Sequence, residues 1–229
     1  MDGREKTKQA KALLVRIFFP RRCPFCGKVM LPEENCCPNC LPELPRVEQA
    51  AHCPFCGKRG CVCREERLLA MTQSCFYHEG IAREAVLAMK FYRRPGYART
   101  LARCLAELME DTSGWDVIVP VPMTAKKQRR RGYNQSALLS RFLSEETGIP
   151  TEPLLAKTRE TRPQHDLDGE ERRQNLLGAY RASEGAAGLR VLVCDDVLTT
   201  GSTLREAARA LLAAGALSVG AVTVSCTKK

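Results

Sequence analysis

With 229 residues, 44% of them hydrophobic, the chain has enough material for one large or two small packed domains. Its apolar runs all fall short of the roughly 20 residues that cross a bilayer, which excludes a helical membrane span. The formal net charge of +10 is shared evenly between residues 1–70 and 71–229, which excludes a basic tail and fits a phosphate-rich partner.

In chain order, the N-terminal segment 1–19 comes first. Lys6–Phe19 joins a basic start to the apolar run Leu13-Leu14-Val15-Arg16-Ile17-Phe18-Phe19. Arg16 interrupts that run and no small-residue cleavage site follows, so the expectation is a short amphipathic helix rather than a signal peptide. Residues 20–69 form the next unit. They lack helical periodicity, hold seven prolines and carry nine of the 13 cysteines, all between Cys23 and Cys63. Such a segment cannot build a large apolar core, so metal is expected to hold it.

Cys23-Pro-Phe-Cys26 and Cys37-Pro-Asn-Cys40 have the spacing of a four-thiolate zinc site, two tight turns each presenting two sulfurs. Cys53-Pro-Phe-Cys56-Gly57-Lys58 repeats Cys23-Pro-Phe-Cys26-Gly27-Lys28, an internal duplication, and Cys61-Val-Cys63 closes a second set with a cramped C-x-C. Cys36 and His52 compete for ligand places. Sites of four cysteines have no open position and are structural. A redox role for the CxxC pairs is the alternative, without a thioredoxin-like context to support it. Clustered CxxC pairs without a secretion signal point to a reducing cytosol and to thiolate–metal bonds rather than disulfides. Two filled zinc sites would bring the net charge to about +6.

Residues 70–229 change character to alternating strand and helix patterns, a third unit. Strands are expected at Ser74–His78, Val117–Val121, Pro153–Ala156, Leu189–Cys194 and Val219–Val224. Helices are expected at Ile81–Phe91, Thr100–Met109, Gln135–Thr147 with Gly148 as C-cap, Asp168–Leu177 and Leu204–Ala214. This alternation predicts a parallel α/β sheet flanked by helices, with ligands at the carboxyl ends of the strands.

One such end carries the most informative run of the chain, Val191-Leu-Val-Cys-Asp195-Asp196-Val197-Leu198-Thr199-Thr200-Gly201-Ser202-Thr203. Two adjacent carboxylates stand where the strand should end. They can accept hydrogen bonds from neighbouring ribose hydroxyls. Hydroxyls and backbone N–H groups at the following helix N-terminus can cradle a phosphate, and Gly201 permits positive φ or close approach. An ordinary turn with a Ser202 or Thr203 N-cap is the bland alternative. The run resembles the phosphoribosyl-pyrophosphate (PRPP) motif of type I phosphoribosyltransferases, four apolar residues, Asp-Asp, two more, then Thr-Thr-Gly-x-Thr.

Phosphoribosyl transfer depends on stabilising a leaving pyrophosphate, for which magnesium and cationic groups serve. Val119-Pro-Val-Pro122-Met123-Thr124 follows a strand and could offer N–H groups to pyrophosphate. Lys126-Lys127-Gln128-Arg129-Arg130-Arg131-Gly132-Tyr133-Asn134-Gln135 holds five cations and no carboxylate, which reads as a mobile basic loop closing over phosphates. A solvated basic face or a nucleic-acid patch is its alternative. Thr161-Arg162-Pro163-Gln164-His165, before Arg172, Arg173 and Asn175, is a third feature, equally readable as a capped helix with surface arginines.

The three CxxC pairs, Phe91-Tyr92 after Lys90, Val-Pro-Val-Pro, Arg-Arg-Gly-Tyr-Asn-Gln, Arg-Pro-Gln, Glu-Arg-Arg-Gln-Asn and the PRPP run, in this order, resemble the ComF family of phosphoribosyltransferase-like proteins. The likeness runs from about Pro20 to Ser225. It implies a type I phosphoribosyltransferase-like sheet with an N-terminal double zinc ribbon, in a cytosolic bacterial protein. Better-known members of the family assist uptake of single-stranded DNA in natural transformation. Carried over residue by residue, the resemblance makes Asp195, Asp196 and Val197 to Thr203 the PRPP-binding run. Pro122, Met123, Tyr133, Asn134 and Gln135 join it, and Asp195, Asp196, Arg130 and Arg131 become the catalytic candidates. The implied zinc ligands are Cys23, Cys26, Cys37, Cys40, Cys53, Cys56, Cys61 and Cys63. Family members usually close the second set with C-x2-C, one residue longer than Cys61-Val-Cys63.

Two functions follow from this reading. One is a PRPP-binding protein acting on single-stranded DNA, with modest, salt-sensitive affinity because the chain holds few aromatics and no aromatic–basic interleaving. The other is an active phosphoribosyltransferase with an acceptor that residues 70–95 do not disclose.

Overall fold

The structure, a computed structural model, describes residues 21–31, 34–61, 63, 67–92, 94–109, 111–158 and 178–228. The helices expected within residues 1–19 and over Asp168–Leu177, and the Thr161–His165 run with Arg172, Arg173 and Asn175, lie outside the described residues.

Four parallel strands form the main sheet in the order β1-β6-β5-β2: β1 is Met71–Tyr77, β2 Val117–Pro120, β5 Arg190–Leu198 and β6 Ser218–Cys226. Their apolar side chains alternate between the faces, as a pleated strand requires. Ile118, Leu192, Cys194, Val222 and Val224 face one core; Val117, Val119, Val191, Val193, Val219 and Ala221 face the other. The first core is covered by α1 (Gly80–Phe91), α2 (Tyr97–Leu108) and α4 (Gln135–Thr147). The second is covered by α5 (Ser202–Ala213) and a small antiparallel pair, β3 (Leu155–Lys157) with β4 (Tyr180–Ala182). Trp115 crosses β6 so closely that a Cβ at Gly220 would lie 2.3 Å from its Cη2, so only glycine fits there.

The cysteine-rich segment covers the open edge of β1. Val47 N–H donates to the Cys75 carbonyl at 3.0 Å, Tyr77 N–H to Pro45 at 2.7 Å, and Thr72 N–H to Pro54 at 2.6 Å. These bonds fill edge groups that would otherwise invite another strand. Phe25 meets Phe76 edge-on at 5.7 Å. Cys23, Phe25, Met30, Cys37, Cys40 and Leu44 join the first core, and Val47, Leu68 and Leu69 the second.

Three expectations are corrected. The basic stretch is not a loop throughout: Ala125–Arg131 is a helix, α3. Thr124 caps its start, its side chain accepting from Lys127 N–H, and Gly132 ends it in the left-handed region at φ 88°. The sequence Ala-Lys-Lys-Gln-Arg-Arg-Arg contains only good helix formers. β5 runs four residues beyond Cys194, because β6 continues beside it and pairs Val197 with Ser225 and Leu198 with Cys226. Asp195 and Asp196 therefore stand inside the strand's last stretch rather than after it. Short β4 was not anticipated. The α4 helix has the expected bounds, with Asn134 as N-cap and Gly148 at φ 77° closing it.

Candidate functional site

The end of β5 gathers groups from four helices. Asp195 Oδ1 accepts from the Ser136 hydroxyl at 2.8 Å and from the Asp196 N–H at 2.9 Å. Asp196 pairs with Lys90 Nζ, on the last turn of α1, at 2.8 Å. Burial pushes the Asp195 carboxyl far above the usual carboxylate range, and the neighbouring Asp196 charge adds to this; the Ser136 hydroxyl and Lys90 oppose it. The two acids thus differ: Asp196 has a cation in contact, whereas Asp195 rests on a hydroxyl and an N–H.

After Leu198 the chain turns through Thr199–Gly201 into α5. Gly201 adopts φ 79° and is the N-cap, and no side chain caps the helix there. That conformation is why glycine stands at this position. Thr200 Oγ1 and Ser202 Oγ lie 2.9 Å apart. The Thr199 carbonyl is held by the Thr227 hydroxyl at 3.3 Å. Hydroxyls and first-turn N–H groups at the start of a 12-residue helix form a ready anion cradle.

Beside Asp196 lies a cleft of about 210 Å³ lined by Lys90, Phe91, Arg130, Arg131 and Tyr133. The Arg131 guanidinium sits 4.9 Å from the centre of the Phe91 ring and donates to Gln135 Oε1 at 2.9 Å. Tyr133 hydrogen-bonds through its hydroxyl to the Met89 carbonyl, and Asn134 Nδ2 donates to the Val121 carbonyl at 3.0 Å. Gln135 is buried, and among the described residues its Nε2 has no hydrogen-bond partner. Pro122 and Met123 are half-buried just beyond β2.

The cysteines form two clusters, Cys23/Cys26/Cys37/Cys40 and Cys53/Cys56/Cys61/Cys63, with all sulfurs of each set within 4.8 Å of one another. A tetrahedron with about 2.3 Å zinc–sulfur bonds has sulfur–sulfur edges of about 3.8 Å. Cys26–Cys37 and Cys53–Cys63, both 3.5 Å, and Cys61–Cys63, 3.9 Å, fit such an edge. The donor sets therefore suit zinc, and the short C-x-C closes its set. The duplicated knuckles fold alike: Gly27 N–H bonds to Cys23 O and Gly57 N–H to Cys53 O, both at 2.8 Å. Cys36 stays outside, its thiol on the Cys37 carbonyl, and His52 turns Nδ1 to the Glu48 carbonyl.

Comparison with known proteins decides the family. A model of the phosphoribosyl transferase domain matches residues 90–228. The chain is 32% identical over 212 residues to the DNA utilization protein YhgH of Salmonella typhimurium, covering 86% of each protein. It is 31% identical to competence protein F of Haemophilus influenzae, over 85% of this chain and 92% of that protein. To competence protein ComFC of Bacillus subtilis it is 25% identical, over 86% of each. The chain belongs to the ComF family. Its parallel sheet flanked by helices is the expected phosphoribosyltransferase-like architecture.

In this ComF-family chain the residues anticipated at the site divide into two groups. Asp195, Asp196 and Thr199–Thr203 form one continuous strand end and loop. Arg130, Arg131 and Tyr133 line the cleft beside Asp196, while Gln135 accepts from the Arg131 guanidinium and Asn134 is turned to the Val121 carbonyl. Ser136, Lys90, His78 and Tyr180 were missed. Ser136 is an unremarkable serine in sequence, legible only as the second residue after an Asn cap. His78 follows β1; its Nδ1 meets Ser225 Oγ at 2.9 Å, and burial, followed by Lys90 and Arg83, lowers its pKa. Tyr180 lies on the unanticipated strand β4.

Proposed function

We propose that this chain binds PRPP with magnesium at the strand end and loop Asp195–Thr203, and that it acts in the cytoplasm in DNA uptake, handling single-stranded DNA. The observation that carries the PRPP reading is the uncapped, left-handed Gly201 turn opening α5 directly after the strand that bears both carboxylates. In this reading Thr199–Thr203 hold the 5′-phosphate, and Asp195 and Asp196 accept from the ribose hydroxyls. Lys90 and Arg131 face the pyrophosphate side. Magnesium bound with PRPP would supply charge neutralisation on the leaving group. Zinc in the two cysteine clusters is structural.

The DNA reading rests on the relatives' names and on the cleft, where three cations stand with two aromatic rings. The fold brings together two short runs, Lys90-Phe91 and Arg130-Arg131-Gly132-Tyr133, each of which sets a ring beside a cation. Calorimetry with PRPP and magnesium tests the first reading: the intact protein should bind and Asp195→Asn should lose at least tenfold in affinity. Titration with a single-stranded oligonucleotide tests the second, with affinity expected to fall steeply between 50 and 200 mM salt. An affinity indifferent to salt would remove it.

The alternative is an active enzyme, which the match of residues 90–228 to the phosphoribosyl transferase domain favours. Pyrophosphate release measured across bases and amines, with Asp195→Asn as control, tests this alternative. Tight PRPP binding with no release would leave a binding protein.

A further inference from the structure

One leucine stands between the second cysteine cluster and the phosphate loop. A Cβ at Gly57 would lie 2.7 Å from Leu198 Cδ2, and a Cβ at Gly201 would lie 3.6 Å from Leu198 Cδ1. Each methyl of the same side chain thus faces one glycine, Gly57 in the Cys53–Cys56 knuckle and Gly201 in the loop. Leu198 is buried at 3% exposure, so its isopropyl group has little room to turn away. The knuckle is pinned from its other side. Thr72 donates its N–H to the Pro54 carbonyl at 2.6 Å and its hydroxyl to the Phe55 carbonyl at 2.7 Å. Thr72 Cγ2 would also meet a Gly57 Cβ at 2.8 Å. Among the described residues the first knuckle has no such neighbour: a Cβ at Gly27 would meet only Tyr97 Oη, at 4.0 Å.

We infer that the second cluster, and not the first, is coupled to the phosphate loop: metal at Cys53/Cys56/Cys61/Cys63 sets the knuckle that positions Leu198, and Leu198 positions Gly201. The inference rests on the PRPP reading of the loop. Coupling between two sites is reciprocal, so a ligand that orders the loop must tighten the second metal by the same factor by which that metal tightens the ligand. The geometry assigns Leu198 as a positioning residue, acting on the loop rather than on the reacting atoms.

The test uses the full chain loaded with two equivalents of zinc. Zinc release to a chromogenic chelator is followed with and without saturating PRPP and excess magnesium, and calorimetry reports PRPP binding separately. One equivalent should leave about fivefold more slowly or slower still with PRPP, and the other at an unchanged rate. In Leu198→Ala, PRPP that still binds should no longer protect that equivalent. If Leu198→Ala does not fold, the wild-type rates decide alone. PRPP bound with neither rate changed, or with both slowed equally, overturns the coupling while leaving the PRPP reading intact. No PRPP binding in the calorimeter overturns the PRPP reading and the coupling with it.

Discussion

The duplicated knuckles contain their own controlled experiment, Gly27→Ala against Gly57→Ala. Both glycines are left-handed, at φ 76° and 69°, and both accept the same local hydrogen-bond pattern. An alanine in that region costs about 1–2 kcal/mol in backbone strain, and stiffening the unfolded chain returns part of it. At Gly27 the described residues add nothing else, because their nearest atom, Tyr97 Oη, is 4.0 Å away. At Gly57 the new methyl overlaps Leu198 Cδ2 at 2.7 Å and Thr72 Cγ2 at 2.8 Å. Carbon contacts are comfortable at about 3.5–4.0 Å, so each neighbour must retreat by close to an ångström. Thr72 is held by two hydrogen bonds and Leu198 is buried, so this overlap carries an overpacking cost of about 1–3 kcal/mol. Gly57→Ala should therefore be less stable than Gly27→Ala by that margin. Thermal melting of the zinc-loaded variants reads it as a gap of several degrees, at about 2–4 °C per kcal/mol for a chain of this size. Equal melting temperatures would refute the packing argument, and with it the claim that the second knuckle bears directly on Leu198.

Three further outcomes are expected. The Asp195 carboxyl is pushed up to about 7 from an ordinary 3.8, so the folded protein keeps a proton that the unfolded chain releases. Stability should fall as pH rises through that window, and Asp195→Asn should gain on the wild type by at most about 4 kcal/mol at pH 8 and by almost nothing at pH 3.5, as read by urea titration. Lys90→Met strips Asp196 of its 2.8 Å partner and leaves a buried charge, which should cost on the order of 2–3 kcal/mol at neutral pH; an unchanged urea midpoint would contradict this. Cys40→Ser should lower bound zinc from two equivalents to one by metal analysis and depress the melting temperature, since that cluster's sulfurs are part of the first core.

The parallel sheet was legible because apolar, β-branched-rich runs such as Val117–Val119 and Val191–Val193 mark buried strands, and the end of α4 was legible because Gly148 is a left-handed C-cap; the Asn134 cap at its start was hidden inside the basic stretch. The bounds of β5 were not, since strand length is set by the neighbour: the ladder to β6 extends past Asp195 and Asp196 whatever their own preference. The basic stretch misled because charge density suggests mobility, while the helix depends on two small signals, Thr124 and Gly132. Within the site, the PRPP-like loop could be read directly because its residues are contiguous. Ser136 and Lys90 could not, because their roles come from where α4 and α1 dock. The place of the cysteine-rich segment was also hidden, for pairing with the edge of β1 is a matter of backbone groups that carry no side-chain pattern.

That dependence on docking has a physical consequence for the carboxylate pair. Asp195 is steadied by a hydroxyl at the start of α4 and Asp196 by an ammonium at the end of α1, and the guanidinium at the end of α3 lines the cleft beside Asp196. No single element could hold two adjacent buried acids, since each isolated ionised carboxylate would meet a large desolvation cost. The acids are therefore compatible with the fold only when all three helices are seated on the sheet, and the helices α1 and α2 are seated in the same core that contains Cys23, Phe25 and Cys37. The first cysteine cluster thus belongs to the core on which α1 and α2 are seated, whereas the second bears on the loop itself, through Leu198.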